Sequence, residues 1–406
     1  MDLIIRPEKV IDCTGKAPVS NVEVVVSGET ISAVRPVGSE PVDGKAEIIS
    51  APGATLMPGL IDLHMHLFQW GQRHDIPWER ESILEAGLRG VRNASTLLDM
   101  GVTTARDVAS RDNLSIQLRD LINEGVVRGP RLLASGTQLE AQGRAAYFFR
   151  AIYVNGPDES RAAARRQLRA GADWIKIMAT SGVGGGTGKL VGEPGWQELG
   201  EDEMAAAATE AHQAGRRITA HAIGNAGIKA AVRAGVDCIE HGDYLDDEAI
   251  ELMLQRNVGF VPTLLITRNL GAYGRERGFE QNIIDRAQRT LEAGFESVRQ
   301  AFAAGIRVAT GSDVDLDETA AQEVAMLREA GIQPMDSLLA ATKVAASIIS
   351  LDDRIGTVEP GKIADLILVP GDPLADVSAL EKVTHVFQGG KLVRRPETGR
   401  GTASEL

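Results

Sequence analysis

Pro58-Gly59-Leu60-Ile61-Asp62-Leu63-His64-Met65-His66 is the stretch on which the reading of this chain turns. The Pro-Gly pair supplies a turn, Leu60-Ile61 starts an apolar run, and two histidines follow one residue apart. Successive side chains of a β-strand point to opposite faces, so residues i and i+2 share one. His64 and His66 therefore project together, with Met65 turned away. Two neutral imidazoles at a strand end can share a divalent ion. The competing reading is a strand that merely carries two half-buried histidines.

Working outward, the run at 56–63 is followed by seven more short apolar runs, at 101–107, 131–135, 173–178, 217–221, 236–241, 258–262 and 306–310. Segments rich in Ala, Glu, Arg and Leu, such as 201–214 and 283–304, separate several of them and read as helices. Ala-Gly pairs before several runs (Ala170-Gly171, Ala214-Gly215, Ala234-Gly235, Ala304-Gly305) read as helix stops. Strands alternating with helices predict parallel βαβ units, and eight of them predict an α/β TIM (β/α)8 barrel over residues 56–350. A helical repeat of 33–34 residues competes, but strand-like runs and irregular spacing oppose it.

Both chain ends read as short strands instead. Leu3-Ile4-Ile5, Val22-Glu23-Val24-Val25-Val26, Ile31-Ser32-Ala33-Val34 and Glu47-Ile48-Ile49 lie at the start. Ile355-Gly356-Thr357-Val358, 364–369, 383–387 and Lys391-Leu392-Val393 lie at the end. Neither set is long enough to bury a core alone. Residues 1–55 plus 351–406 are therefore expected to form one composite β-sandwich domain.

The 406 residues are 43% hydrophobic and 24% charged, the composition of an ordinary globular protein with a sizeable core. Forty-three basic against 56 acidic residues give a net charge of −13, which argues against nucleic acid or an anionic membrane as partner. The start lacks the apolar stretch of a signal peptide, and no run of 18 apolar residues exists to span a bilayer. Cys13 and Cys238 form no Cys-x-x-Cys pair and read as small core residues. A cytoplasmic location, a small-molecule partner and room for a homo-oligomer are the expectations.

Of the seven histidines, His64, His66, His221 and His241 fall at the C-terminal ends of proposed barrel strands, and Asp313 just past the eighth. Barrel active sites are built at that face. Lys176 lies inside the apolar run Trp174-Ile175-Lys176-Ile177-Met178, where a lysine is costly unless paired or neutralised. An exposed edge-strand lysine is the alternative. Together these residues suit two divalent metal ions, one on His64, His66 and Asp313, the other on His221 and His241. A desolvated Lys176 amine could add CO2 to give a bridging carbamate. A bridging hydroxide would be the nucleophile and Asp313 the catalytic base, then acid.

The motif at 58–66 resembles the signature of the amidohydrolase superfamily. The segments Gly171-Ala172-Asp173-Trp174-Ile175-Lys176-Ile177-Met178-Ala179-Thr180-Ser181-Gly182-Val183-Gly184, Ala220-His221-Ala222, Ile239-Glu240-His241-Gly242 and Gly311-Ser312-Asp313 narrow it further. So does the closing Gly356, Gly361-Lys362, Ala364-Asp365-Leu366 pattern. These are similar to the imidazolonepropionase-related branch, which includes prolidase-like Xaa-Pro and Xaa-Arg dipeptidases. Residues from about 10 to 395 carry the resemblance. It implies a barrel inserted in a small β-sandwich, a binuclear centre, usually zinc, and a carboxylated Lys176.

Two departures stand out. The branch carries a Gly-Gly-His after the third strand, where this chain reads Ser135-Gly136-Thr137-Gln138-Leu139-Glu140-Ala141-Gln142-Gly143-Arg144-Ala145-Ala146. A tyrosine common after the fifth strand is replaced by Ile223. The branch is also similar to hydrolases of N-acyl amino acids, phenylureas and thiocarbamates, so a less polar substrate is an alternative. Phe68, Trp70, Tyr147, Phe148 and Phe149 are then candidate wall residues, unless they simply pack under the barrel loops.

His74 is a candidate replacement for the missing histidine, and Arg106 a candidate for a substrate carboxylate unless acidic neighbours hold it. His212 and His385 read as structural. The glycine-rich 182–189 lacks the Ser or Thr of a phosphate loop, since Leu190 follows Lys189, and reads as a flap. The favoured function is a binuclear amidohydrolase cleaving a dipeptide or N-acyl amino acid. Alternatives are a hydrolase of aryl amides, ureas or carbamates, a mononuclear ring deaminase, and a non-catalytic binding protein. A deaminase has no need of Lys176, and a binding protein no need of six ligands.

Overall fold

The computed structural model describes residues 2–39, 46–69, 81–142, 151–183, 195–313 and 318–395. Two parallel sheets with covering helices make up the middle of the chain. One contains Leu60–Met65, Val102–Asp107 and Arg131–Ala134 in that order. The other runs Ile152–Val154, Leu139–Ala141, Trp174–Met178, Arg217–Ala222, Cys238–His241 and Gly259–Val261, all parallel. Parallel strands need crossover connections, and helices such as Pro157–Ala170, Glu201–Gln213 and Asn225–Ala234 provide them. Alanine faces let these helices lie close to the sheet: Ala207, Ala211, Ala230 and Ala231 are buried in one cluster with Ile177, Ile218 and Ile239.

A few hydrogen bonds outside the ladders join the edges of the two sheets. On one side Asp173 N donates to Ala134 O at 2.8 Å and Ala134 N to Asp173 Oδ2 at 3.0 Å. The run at 306–310, expected as the eighth strand, makes backbone bonds to both of its neighbours. Phe260 N donates to Arg307 O at 2.9 Å and Ala309 N to Phe260 O at 2.8 Å, with Val308 bridged parallel to Phe260, while Leu63 N donates to Thr310 O at 3.0 Å. Thr310 Oγ1 donates to Ile61 O at 2.8 Å, which spends its hydroxyl on the first strand. The expected helix stops are present: Gly235 ends Asn225–Ala234 with φ 96°, a left-handed conformation that carries no Cβ penalty only in glycine.

The chain ends share one eight-stranded sheet. The C-terminal strand Leu366–Pro370 pairs antiparallel with Glu47–Pro58, which pairs parallel with Leu3–Val10 on its other edge. Alternation splits its residues between two cores. Met57, Ile367, Val369 and Val386 pack with Leu97, Leu98 and Val102 of the parallel-sheet region. Leu56, Leu366, Leu368 and Phe387 face the other way, into a cluster with Leu3, Ile5, Val24 and Val26. Among the described residues these strands form one continuous hydrogen-bonded sheet with a core on each face.

Glu47–Pro58 leads directly into Leu60–Met65 through Gly59, whose N donates to Asp365 O at 2.9 Å. A Cβ at Gly59 would stand 2.1 Å from Thr103 Oγ1, so only glycine lets the two strands pass so closely. This junction fixes where the paired histidines emerge. Cys13 and Cys238 are both free and buried. Among the described residues no helix is long and apolar enough to cross a membrane.

Candidate active site

Every residue of Leu60–Met65 is buried, and the period of two divides them. Ile61 and Leu63 enter an apolar cluster. His64 and His66 line the cavity, and the pairing of this strand with Val102–Asp107 shifts register between Asp62 and Met65. Asp62 accepts from Ser312 Oγ at 2.7 Å, Ser312 N at 3.1 Å and His64 N at 3.2 Å, tying the first strand to the segment that carries Asp313. Asp313 N in turn donates to His64 O at 2.9 Å.

His64 Nε2 lies 3.7 Å from Asp313 Oδ2, and His66 Nε2 3.4 Å from Asp313 Oδ1. One donor atom from each of these three residues falls within 4.8 Å of the other two, close enough to converge on one cation. The rings of His64 and His241 are 5.0 Å apart, and those of His221 and His241 4.3 Å apart. Lys176, 2% exposed, lines the same cavity as these four histidines and Asp313. Its strand Trp174–Met178 has neighbours on both sides, so the edge-strand alternative fails.

Partners at Nδ1 orient three of the four rings. His66 Nδ1–H donates to Ala109 O at 3.1 Å, and a carbonyl can only accept. His64 Nδ1 lies 2.8 Å from Glu240 Oε2, and His241 Nδ1 2.6 Å from Thr263 Oγ1. The Nε2 lone pairs are thereby left for the cavity, the arrangement that outer partners of metal-binding histidines enforce. His241 Nε2 is buried with no hydrogen-bond partner. Burial pushes His66 and His221 down to about 3, with the Lys176 charge adding to the effect. His64 and His241 are lowered well below the usual imidazole value by the same desolvation. All four are neutral at pH 7, as ligands must be. Burial also lowers Lys176 to about 8, against the opposing pull of Glu240 and Asp313. This donor set fits divalent metal ions.

Strained backbone also occurs here. His241, Thr263 and Asp313 are left-handed non-glycine residues, with φ 72°, 47° and 50°. Such conformations cost about 1–3 kcal/mol each and persist where the surroundings over-determine them. The turn at His241 brings its ring to the side that Glu240 already occupies: His64 meets both.

Arg106 is held by an acidic neighbour, the second of its two expected roles. It is fully buried, donates from Nε to Leu63 O at 2.7 Å, pairs with Glu240 and lies 4.5 Å above the Trp174 ring. Its charge is consumed in orienting Glu240, and through it His64. Phe68 likewise serves packing, its ring lying on Gly90 of the helix Ile83–Asp99 rather than on the cavity. His212 pairs with Asp237 at 3.0 Å, and His385 stacks on Phe387. His74, Trp70, Tyr147, Phe148 and Phe149, and the part of the flap from residue 184 onward, lie outside the described residues.

The cavity measures about 230 Å³. Ile223 lines it as expected, with Met178, Val183, Ile266, Leu270 and Phe279. Gln138, Asp243, Thr267 and Arg277 are its polar wall. Glu240, Asp62, Asp243, Thr263 and Arg277 were missed by sequence reasoning. Strict alternation sets Glu240 opposite His241, and nothing in the sequence announces the left-handed turn that overrides it.

A family model described as the amidohydrolase family matches residues 55–393. The curated ochratoxinase of Aspergillus niger is 29% identical over 420 residues, covering 94% of this chain and 85% of that one. Among solved structures, a Xaa-Pro dipeptidase with methionine bound in its active site superposes with a TM-score of 0.87. It is 29% identical, covering 97% of this chain and 100% of that one. A prolidase complexed with N-methylphosphonate-L-proline gives 0.86 at 30% identity, with 97% and 100% covered.

Proposed function

As the chain belongs to the amidohydrolase family and is a hydrolase of that type, we propose that it cleaves the amide bond of a dipeptide or N-acyl amino acid at a binuclear metal centre. The observation that carries this reading is the convergence of four neutral imidazoles, Asp313 and Lys176 on one cavity. In this proposal the two parallel sheets and the run at 306–310 are arcs of one closed (β/α)8 barrel, and the terminal sheet curls over its inner cluster as a sandwich does. Such barrels carry their sites at the C-terminal ends of strands, where these residues lie.

His64, His66 and Asp313 would hold one ion and His221 and His241 the other, with Lys176 as a carbamate shared between them. Zinc suits a set dominated by imidazole. When bound, the cations would supply Lewis acidity to polarise the scissile carbonyl and make water nucleophilic near neutral pH. Lys176 as an ammonium would repel both, because its positive charge already depresses each imidazole. A carbamate reverses that sign.

Asp313 has the freedom the chemistry needs. Its side chain is 18% exposed, more open than the histidines, and it borders the cavity. It takes a proton from the attacking water and returns it to the amide nitrogen as the C–N bond breaks, so the nitrogen leaves as a neutral amine. Glu240 and Thr263 hold the rings of His64 and His241 still. Arg277 is a cation within reach of the cavity and suits a substrate carboxylate.

The apolar wall favours a second reading, hydrolysis of aryl amides, ureas or carbamates. Incubating zinc-loaded enzyme with a pool of dipeptides and N-acyl amino acids, and separately with aryl ureas, carbamates and anilides, decides by mass spectrometry of the products. Cleavage in the first pool is expected. Cleavage confined to the second would transfer the assignment to substrates without a carboxylate.

A further inference from the structure

Hydrolysis at the histidines leaves one acid of the cavity unused. Asp243 follows His241-Gly242, is 1% exposed and lines the cavity wall. Neither side-chain oxygen has a hydrogen-bond partner from another residue. Ile223, Ile266 and Leu270 share that wall. Buried polar groups in native proteins are nearly always satisfied, and a carboxyl with no partner in apolar surroundings is expensive to keep.

The chain makes room for this acid. Gly294 lies in the interior of the helix Gln281–Ala304, where glycine is the poorest helix former after proline. A Cβ there would stand 2.9 Å from Asp243 Oδ1 and 3.0 Å from Leu264 Cδ2. Ser297, on the same helix, donates from Oγ to Asp243 O at 2.7 Å and accepts from Leu245 N at 3.0 Å. Helix and strand end together fix where the carboxyl sits, in the wall of the cavity.

We propose that Asp243 is a specificity residue that binds the free amino group of the substrate, selecting aminoacyl amides with an unblocked amine over N-acylated amino acids, ureas and carbamates. The inference rests on the reading of the cavity as a site of amide hydrolysis. An ammonium brings three donors and a positive charge to two oxygens that have none. A ureido or acylamino N–H brings a single donor and no charge. An N-acyl substrate would in addition have to place its acyl group against the buried acid, leaving that acid unsatisfied.

Leucyl-leucine and N-acetyl-leucyl-leucine are compared as substrates of the zinc-loaded enzyme, and leucinamide and N-acetyl-leucinamide as ligands by calorimetry. A site built to hydrogen-bond a substrate N–H rejects analogues lacking it strongly, so at least about a 100-fold preference for the free amine is expected in kcat/KM and in Kd. Asp243→Asn keeps the shape and removes the acid. It is expected to bring both ratios within about fivefold of one, through loss on the free amine, with metal content and melting temperature unchanged. Asp243→Ser, smaller and uncharged, serves if the asparagine variant does not fold.

A wild-type ratio near one, or a variant that weakens both members of each pair equally, overturns the proposal. If neither peptide is cleaved but leucinamide still binds in an Asp243-dependent way, the amine site stands and the reading of the cavity as a site of dipeptide hydrolysis fails. If leucinamide shows no dependence on Asp243, the amine site fails whatever is cleaved.

Discussion

Asp313→Asn is expected to lower kcat by about 10⁴-fold while the protein retains its metal. The substitution is isosteric and keeps one oxygen facing His64 and His66, whose Nε2 atoms lie 3.7 and 3.4 Å from the carboxylate. It removes the proton acceptor. General acid–base catalysis contributes about 10²–10⁴-fold, and Asp313 is asked to act twice, on the attacking water and on the departing nitrogen, which places the loss at the upper end. Its left-handed backbone, φ 50°, is one that asparagine also tolerates, so refolding is not the cause of any loss. Steady-state kinetics beside metal analysis of the same sample reads both quantities. A kcat within tenfold of wild type would remove Asp313 from the proton-transfer role.

Lys176→Ala should weaken metal binding by more than about 100-fold, since outer partners of ligands alone are worth 10–100-fold and Lys176 is assigned directly to the ions. Activity falls with occupancy. A short carboxylic acid such as acetate or propionate, free to enter the space vacated, is expected to restore part of both. The lysine's own chemistry gives a second readout. Burial lowers its pKa from 10.5 to about 8, and only the neutral amine adds CO2. Bicarbonate-dependent activation of metal-free enzyme should therefore quicken as pH rises toward 8 and stall in mild acid, where the amine is charged. Unchanged metal content in the alanine variant would contradict the bridging assignment.

Much of this was legible because the decisive signals are local. A His-x-His at the end of an apolar run needs only the period of a strand to place both rings together, and His64 and His66 do line one cavity. Alanine-glycine pairs announce helix ends, and at Gly235 the left-handed cap is present. Lys176 within an apolar run signals an interior amine for the same reason that makes it costly. What the sequence hid depends on long-range packing or on backbone strain. Arg106 could have met a substrate carboxylate or an acidic neighbour, and the residue that decides, Glu240, lies 134 residues away. Phe68 looked like a cavity wall, yet Gly90 offers it a slot on the neighbouring helix. The terminal strands read as a sandwich, and nothing local distinguishes two sheets from one long sheet with a core on each face. Asp243 and Glu240 flank a histidine that stole the attention, and only the turn at His241 sorts the three.

The most direct measurement is a metal titration of exhaustively chelated enzyme, following bound zinc and dipeptide hydrolysis together. Two equivalents per chain are expected to bind, with turnover absent before addition and complete at the second equivalent. Full turnover in the chelated protein, or saturation of activity with no stoichiometric binding, would contradict a two-metal centre at His64, His66, Lys176, His221, His241 and Asp313.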